Sequence, residues 1–104
     1  MGTHAGWKRT ETAVAARLGG VRVPVSGRGR GDQPDIAHPV FSVECKLRGS
    51  LPGWLTDAMD QATAASRDGR IPLVVIHPKG GRHADDLAVV RLADLVALIE
   101  RGAA

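Results

Sequence analysis

Apolar residues recur at helical spacing near the start of the chain. Trp7, Val14 and Leu18 share one stripe with Glu11, and Gly19-Gly20 stops the pattern, which predicts a helix over residues 6–18. Val21 to Val25 places its valines on one face and predicts a short strand. Residues 33–48, QPDIAHPVFSVECKLR, predict a β-hairpin around which the rest of the chain is organised. Pro34-Asp35-Ile36 forms one arm, Ala37-His38-Pro39 the turn, and Val40 to Leu47 the other arm. In that second arm Phe41, Val43, Cys45 and Leu47 point to a core, while Ser42, Glu44 and Lys46 point away from it. After a break at Gly49 to Gly53, a second helix is expected over residues 53–67. Its buried side is Leu55, Ala58, Met59, Ala62 and Ala65, with Gly69 as its stop. Residues 71–76 are a continuous apolar run and predict a central strand buried on both faces. A polar loop over residues 77–86, a last strand at 87–90 and a final helix at 92–101, closed by Gly102, complete the chain. That helix is apolar over most of its circumference. It is either wrapped by the core or covered by a second subunit.

The order α-β-β-β-α-β-β-α predicts an α/β fold, with one mixed β-sheet flanked by helices. The chain has 104 residues, no internal repeat and no long linker, which fits a single domain with one core. No stretch approaches the ~18 consecutive apolar residues of a membrane-spanning helix. The first residues lack the apolar run of a signal peptide, so a cytoplasmic or nucleoid location is expected. Cys45 is the single cysteine, which excludes an internal disulfide and a cysteine-based zinc cluster. A net charge of +3, carried by eleven Arg and three Lys, suits phosphate contact without proving it. With no tyrosine, one phenylalanine and two tryptophans, base-stacking platforms are not expected. Any nucleic acid would be read through its backbone and shape.

The polar side of the hairpin carries the candidate chemistry. If the hairpin is tight, Asp35 lies about opposite Glu44, where cross-strand Cβ atoms are roughly 5 Å apart. Two carboxylates beside Lys46 then converge, and they repel unless a cation sits between them. Glu11 has two readings, a partnered carboxylate or a solvated residue at the edge of its stripe. The loop from Ser26 to Asp32 holds three glycines with Arg28 and Arg30, and is either a solvated surface loop or a flexible phosphate clamp. His77, His83, Asp85 and Asp86 can be drawn as a metal cluster. Their spacing is no known ligand signature, and ordinary loop polarity explains them better.

Pro34-Asp35 followed by Glu44-Cys45-Lys46 across a short turn resembles the PD-(D/E)xK nuclease superfamily. The longer order also looks like the archaeal Holliday-junction resolvases and their phage-encoded relatives: strand, Ser-Gly, basic loop, Asp, then Glu-x-Lys. The resemblance covers about residues 6–91. It implies a restriction-endonuclease-like fold and a metal site for Mg²⁺, with Mn²⁺ as substitute, on Asp35, Glu44 and the Cys45 main-chain carbonyl. It also implies that Glu11 reaches that site, that Ser26 contributes to activity, and that Gln61 on the second helix faces the site. Lys46 would orient or deprotonate the attacking water, or stabilise charge on the phosphate. Arg22, Arg28, Arg30 and Arg48 would grip the DNA backbone, joined by Lys79 and Arg82.

The function implied is metal-dependent hydrolysis of DNA, most specifically a Holliday-junction resolvase. Symmetric cuts in a four-way junction need two sites, so a homodimer is expected. Three alternatives stay open. One is a general, nicking or flap endonuclease of the same fold. Another is a non-catalytic DNA-binding module. The last is a small basic interaction protein, in which Asp35, Glu44 and Lys46 form only a surface ion-pair cluster.

Overall fold

A computed structural model describes residues 3–24 and 33–103. The fold is small and mixed α/β, and the chain divides into two compact units, Met1–Gly49 and Ser50–Ala104.

The first unit holds helix α1 (Thr3–Leu18) and strands β1 (Val21–Arg22), β2 (Ile36–Ala37) and β3 (Ser42–Val43). The strands form an antiparallel sheet in the order β1-β2-β3, with Ile36 facing Val43 and Arg22 facing Ile36 in register. Ala15, Ile36 and Cys45 make the buried core, with Val14 and Val43 packed against it. The alternation expected across Ser42 to Lys46 is present: Cys45 is buried and Val43 half-buried, whereas Ser42, Glu44 and Lys46 are exposed. Leu47 is a correction, being 46% exposed. The strand expected from Val21 is present as β1, covering Val21–Arg22, with Val21 70% exposed.

α1 ends where Gly19 enters the left-handed region at φ 77°, a conformation that costs a side-chain-bearing residue energy. The amides of Gly19 and Gly20 both donate to the Ala15 carbonyl. His38 helps close the same end. Its Nδ1 accepts the Val40 and Phe41 amides, which leaves the proton on Nε2 to donate to the Leu18 carbonyl at 3.1 Å. Gly20 is there for space. A Cβ at this position would lie 2.7 Å from both the Ala37 carbonyl oxygen and Ile36 Cγ2. Gly20→Ala is therefore expected to destabilise the protein by about 1–3 kcal/mol through overpacking, read as a lower midpoint in urea denaturation.

The second unit holds α2 (Gly53–Ala65), β4 (Val74–Ile76), a 3₁₀ turn (His83–Asp85), β5 (Leu87–Val89) and α3 (Leu92–Ala103). Pro52 precedes α2, and its carbonyl accepts the Leu55 and Thr56 amides. The helix stops two residues earlier than expected, because Ser66 turns to extended backbone, and Gly69 lies in the following turn. Leu55, Ala58, Met59 and Ala62 are half-buried as its inner stripe, but Ala65 is exposed. β4 and β5 pair antiparallel, with Val74 facing Val89 and Ile76 facing Leu87.

Two expectations fail here. All described strands pair antiparallel, in one three-stranded and one two-stranded sheet, so the mixed sheet is not found among the described residues. The run at 71–76 is not buried on both faces either, since Leu73 and Val75 are 51% and 56% exposed. Branched apolar side chains signal a strand, not which neighbours it acquires. Gly102 lies inside α3 and does not close it. No described helix is long and apolar enough to cross a membrane.

Candidate active site

The residues singled out on the helix and the hairpin all belong to the first unit. Glu11 lies on α1, Asp35 immediately before β2, and Glu44, Cys45 and Lys46 directly after β3. The pairing of Ile36 with Val43, continued by one residue, sets Asp35 across from Glu44. Beyond the paired residues the Asp35 amide donates to the Val43 carbonyl at 2.8 Å, which holds the two arms together at that point.

Asp35 and Glu11 are the buried charged residues among those described, at 2% and 1% exposure. Burying a carboxylate is costly unless strong donors surround it, so each position must be held by specific partners. Asp35 Oδ2 accepts the Cys45 amide at 2.7 Å. A carboxylate on one arm thus holds the backbone of the other arm, between Glu44 and Lys46. Glu11 Oε1 accepts the Arg22 Nε–H at 2.8 Å. The pairing follows from topology, because β1 packs on α1 one turn of chain after the helix ends. The sequence left Glu11 open between a partnered carboxylate and a solvated edge residue. The structure places it inside, with a cation beside it.

The other members are outside. Glu44 and Lys46 pair at 3.4 Å, with side chains 60% and 63% exposed. Exposed pairs of this kind contribute little to stability, which leaves both side chains available to a ligand. Beside them Trp7, Cys45, Lys46, Leu47 and Arg48 line a groove of about 240 Å³. Trp7, on the same helical stripe as Glu11, is half-buried and forms a wall of this groove. Its position one helical turn before Glu11 is the sequence signal that points there.

Glu11, Asp35 and Glu44 are not gathered as a tight ligand set. Among the described residues, one group of three offers ligand atoms all within 4.8 Å of one another, and it is His77, His83 and Asp86 in the second unit. Arg22 draws Glu11, and Lys46 draws Glu44.

The expected DNA contacts divide in four. Arg22 is engaged by Glu11, with its side chain 24% exposed. Arg48 is exposed, donates to the Leu47 carbonyl, and lines the groove beside Lys46. In the second unit Gln61 and Lys79 are exposed, and Arg82 makes a two-pronged pair with Asp85 at 3.0 and 3.3 Å. Ser26, Arg28 and Arg30 lie outside the described residues.

Set against known proteins, the chain matches no family model, no curated protein and no solved structure.

Proposed function

We propose that the protein is a metal-dependent DNA endonuclease whose site is built on Asp35, Glu44 and Lys46. One observation carries the reading: buried Asp35 is hydrogen-bonded to the Cys45 amide, at the centre of Glu44-Cys45-Lys46. A carboxylate kept out of water and bonded to the backbone amide between an acidic residue and a lysine supports the reading. The donors there are hard oxygens, from Asp35, Glu44 and the Cys45 carbonyl, and such a set suits Mg²⁺ or Mn²⁺. Bound at these oxygens, the ion supplies Lewis-acid stabilisation and a more acidic water.

The chain's own residues do the rest. The Asp35–Cys45 bond fixes the geometry of the hairpin, so that the Glu44 and Lys46 side chains leave it on the same face. Lys46 orients the attacking water or neutralises charge on the scissile phosphate. Arg48, on the rim of the same groove, contacts the neighbouring backbone phosphate. Glu11 is held by Arg22, and would take part by exchanging that contact for a metal or a metal-bound water.

The finer reading is a Holliday-junction resolvase acting as a homodimer, since paired cuts across a four-way junction require two copies of one site. The assay is incubation of a labelled four-way junction with protein and Mg²⁺, beside a linear duplex of the same sequence. Symmetric nicks confined to the junction support the resolvase. Cutting of both substrates supports a general or nicking endonuclease. Binding without cutting under either Mg²⁺ or Mn²⁺ overturns the enzyme and favours a non-catalytic DNA-binding module. That second reading draws on the two ion pairs, Glu11–Arg22 and Glu44–Lys46, which already neutralise two of the carboxylates without a metal.

A further inference from the structure

The geometry points to a second metal site, for a divalent transition-metal ion such as Zn²⁺, Co²⁺ or Ni²⁺, on His77, His83 and Asp86. It lies wholly within the second unit and does not rest on the nuclease reading.

Three backbone features bring these residues together. β4 ends at Ile76 and β5 begins at Leu87, and those two residues face each other in the ladder. The next positions outward are His77 and Asp86, so the same register sets them opposite one another. The 3₁₀ turn His83–Asp85 then places His83 three residues before Asp86, with the Asp86 amide donating to the His83 carbonyl. Each donor therefore sits on a hydrogen-bonded frame.

The side chains converge on one carboxylate. His77 Nδ1 lies 2.6 Å from Asp86 Oδ1, and His83 Nδ1 lies 3.1 Å from Asp86 Oδ2. The two imidazoles stack, with centroids 4.2 Å apart and planes 28° from parallel. Both Nδ1 atoms thus face the same small region, and the three ligand atoms are all within 4.8 Å of one another. A tetrahedral ion with bonds of about 2.0–2.2 Å needs its ligand atoms roughly 3.4 Å apart, so the 2.6 and 3.1 Å contacts open slightly to admit it. The Asp86 side chain is 12% exposed and the His83 side chain 85% exposed, so the carboxylate is fixed and the outer imidazole is free to adjust.

The donor set decides the class of ion. Two imidazole nitrogens and one carboxylate suit borderline cations, whereas Mg²⁺ and Ca²⁺ prefer oxygens only. Three protein ligands leave the remaining position to water. Asp85, which the sequence offered as a fourth member, is taken by Arg82 instead. Bound metal would clip the 77–86 loop across the open end of the β4–β5 ladder, and would stabilise the unit by linkage.

The test is titration of the full chain with ZnCl₂ and CoCl₂ in magnesium-free buffer, read by melting temperature, by Co²⁺ absorption and by histidine imidazole NMR signals. One equivalent is expected to bind at this site, raise the melting temperature, and shift the His77 and His83 signals but not that of His38. His83→Ala removes an exposed side chain and leaves the fold intact, and it is expected to weaken binding at least about tenfold. His77→Ala with His83→Ala is expected to abolish the stabilisation that remains in Glu44→Ala, whereas Glu44→Ala alone keeps the His77 and His83 signal shifts of the wild type. Zn²⁺-induced stabilisation that persists when the double variant is combined with Glu44→Ala, or a wild type whose His77 and His83 signals ignore Zn²⁺, overturns the site.

Discussion

Glu44→Ala is expected to cut a four-way junction on the order of 10²–10³-fold more slowly than the wild type, with unchanged stability. The magnitude follows if Glu44 is one ligand of the proposed ion, which would supply several kcal/mol of charge stabilisation, at about 1.4 kcal/mol per tenfold. The unchanged stability follows from position. The Glu44 side chain is 60% exposed, and its pair with Lys46 spans 3.4 Å in open solvent. Asp35, by contrast, is buried and holds the Cys45 amide, so its removal would disturb hairpin and chemistry together. The readout is a single-turnover rate on labelled junction, beside a urea midpoint measured on the same preparation. A full rate in Glu44→Ala would remove that residue from the chemistry.

Ile36→Ala is expected to cost about 2–5 kcal/mol, the largest stability loss from any single apolar truncation in the first unit. Ile36 is 0% exposed and is the largest apolar side chain fully buried in the described structure. It pairs with Arg22 on one side and Val43 on the other, and its core neighbours are Ala15 and Cys45, neither large enough to collapse into the gap. A small domain has about 5–15 kcal/mol in total, so the loss is a large share of the whole. Urea denaturation gives the number directly. A loss below about 1 kcal/mol would mean that this core carries little of the stability.

The order of elements was readable from periodicity, because helix and strand impose spacings of 3.6 and 2 on any buried face. Alternation from Ser42 to Lys46 also located the side that carries Glu44 and Lys46. Burial of Glu11 was not readable. Its spacing from Val14 and Leu18 is the same whether it sits inside the stripe or on its rim, and only the approach of β1 brings Arg22 to it. The exposure of Val75 was hidden for a related reason, since residue type reports strand propensity and not the neighbours in the fold. His77 and Asp86 are nine residues apart, and no local spacing rule connects them; the pairing of Ile76 with Leu87 does. The early end of α2 depended on backbone at Ser66, a residue that suits a turn as well as a helix.

Whether Asp35 and Glu44 share a divalent ion can be seen directly by anomalous X-ray scattering at the manganese edge, from crystals soaked in Mn²⁺. A peak between the two carboxylates, within bonding distance of the Cys45 carbonyl and gone in Glu44→Ala, is the expected outcome. A map with no peak there, or one whose only peak lies at His77, His83 and Asp86, would leave the hairpin an ordinary ion-paired surface and end the case for a nuclease.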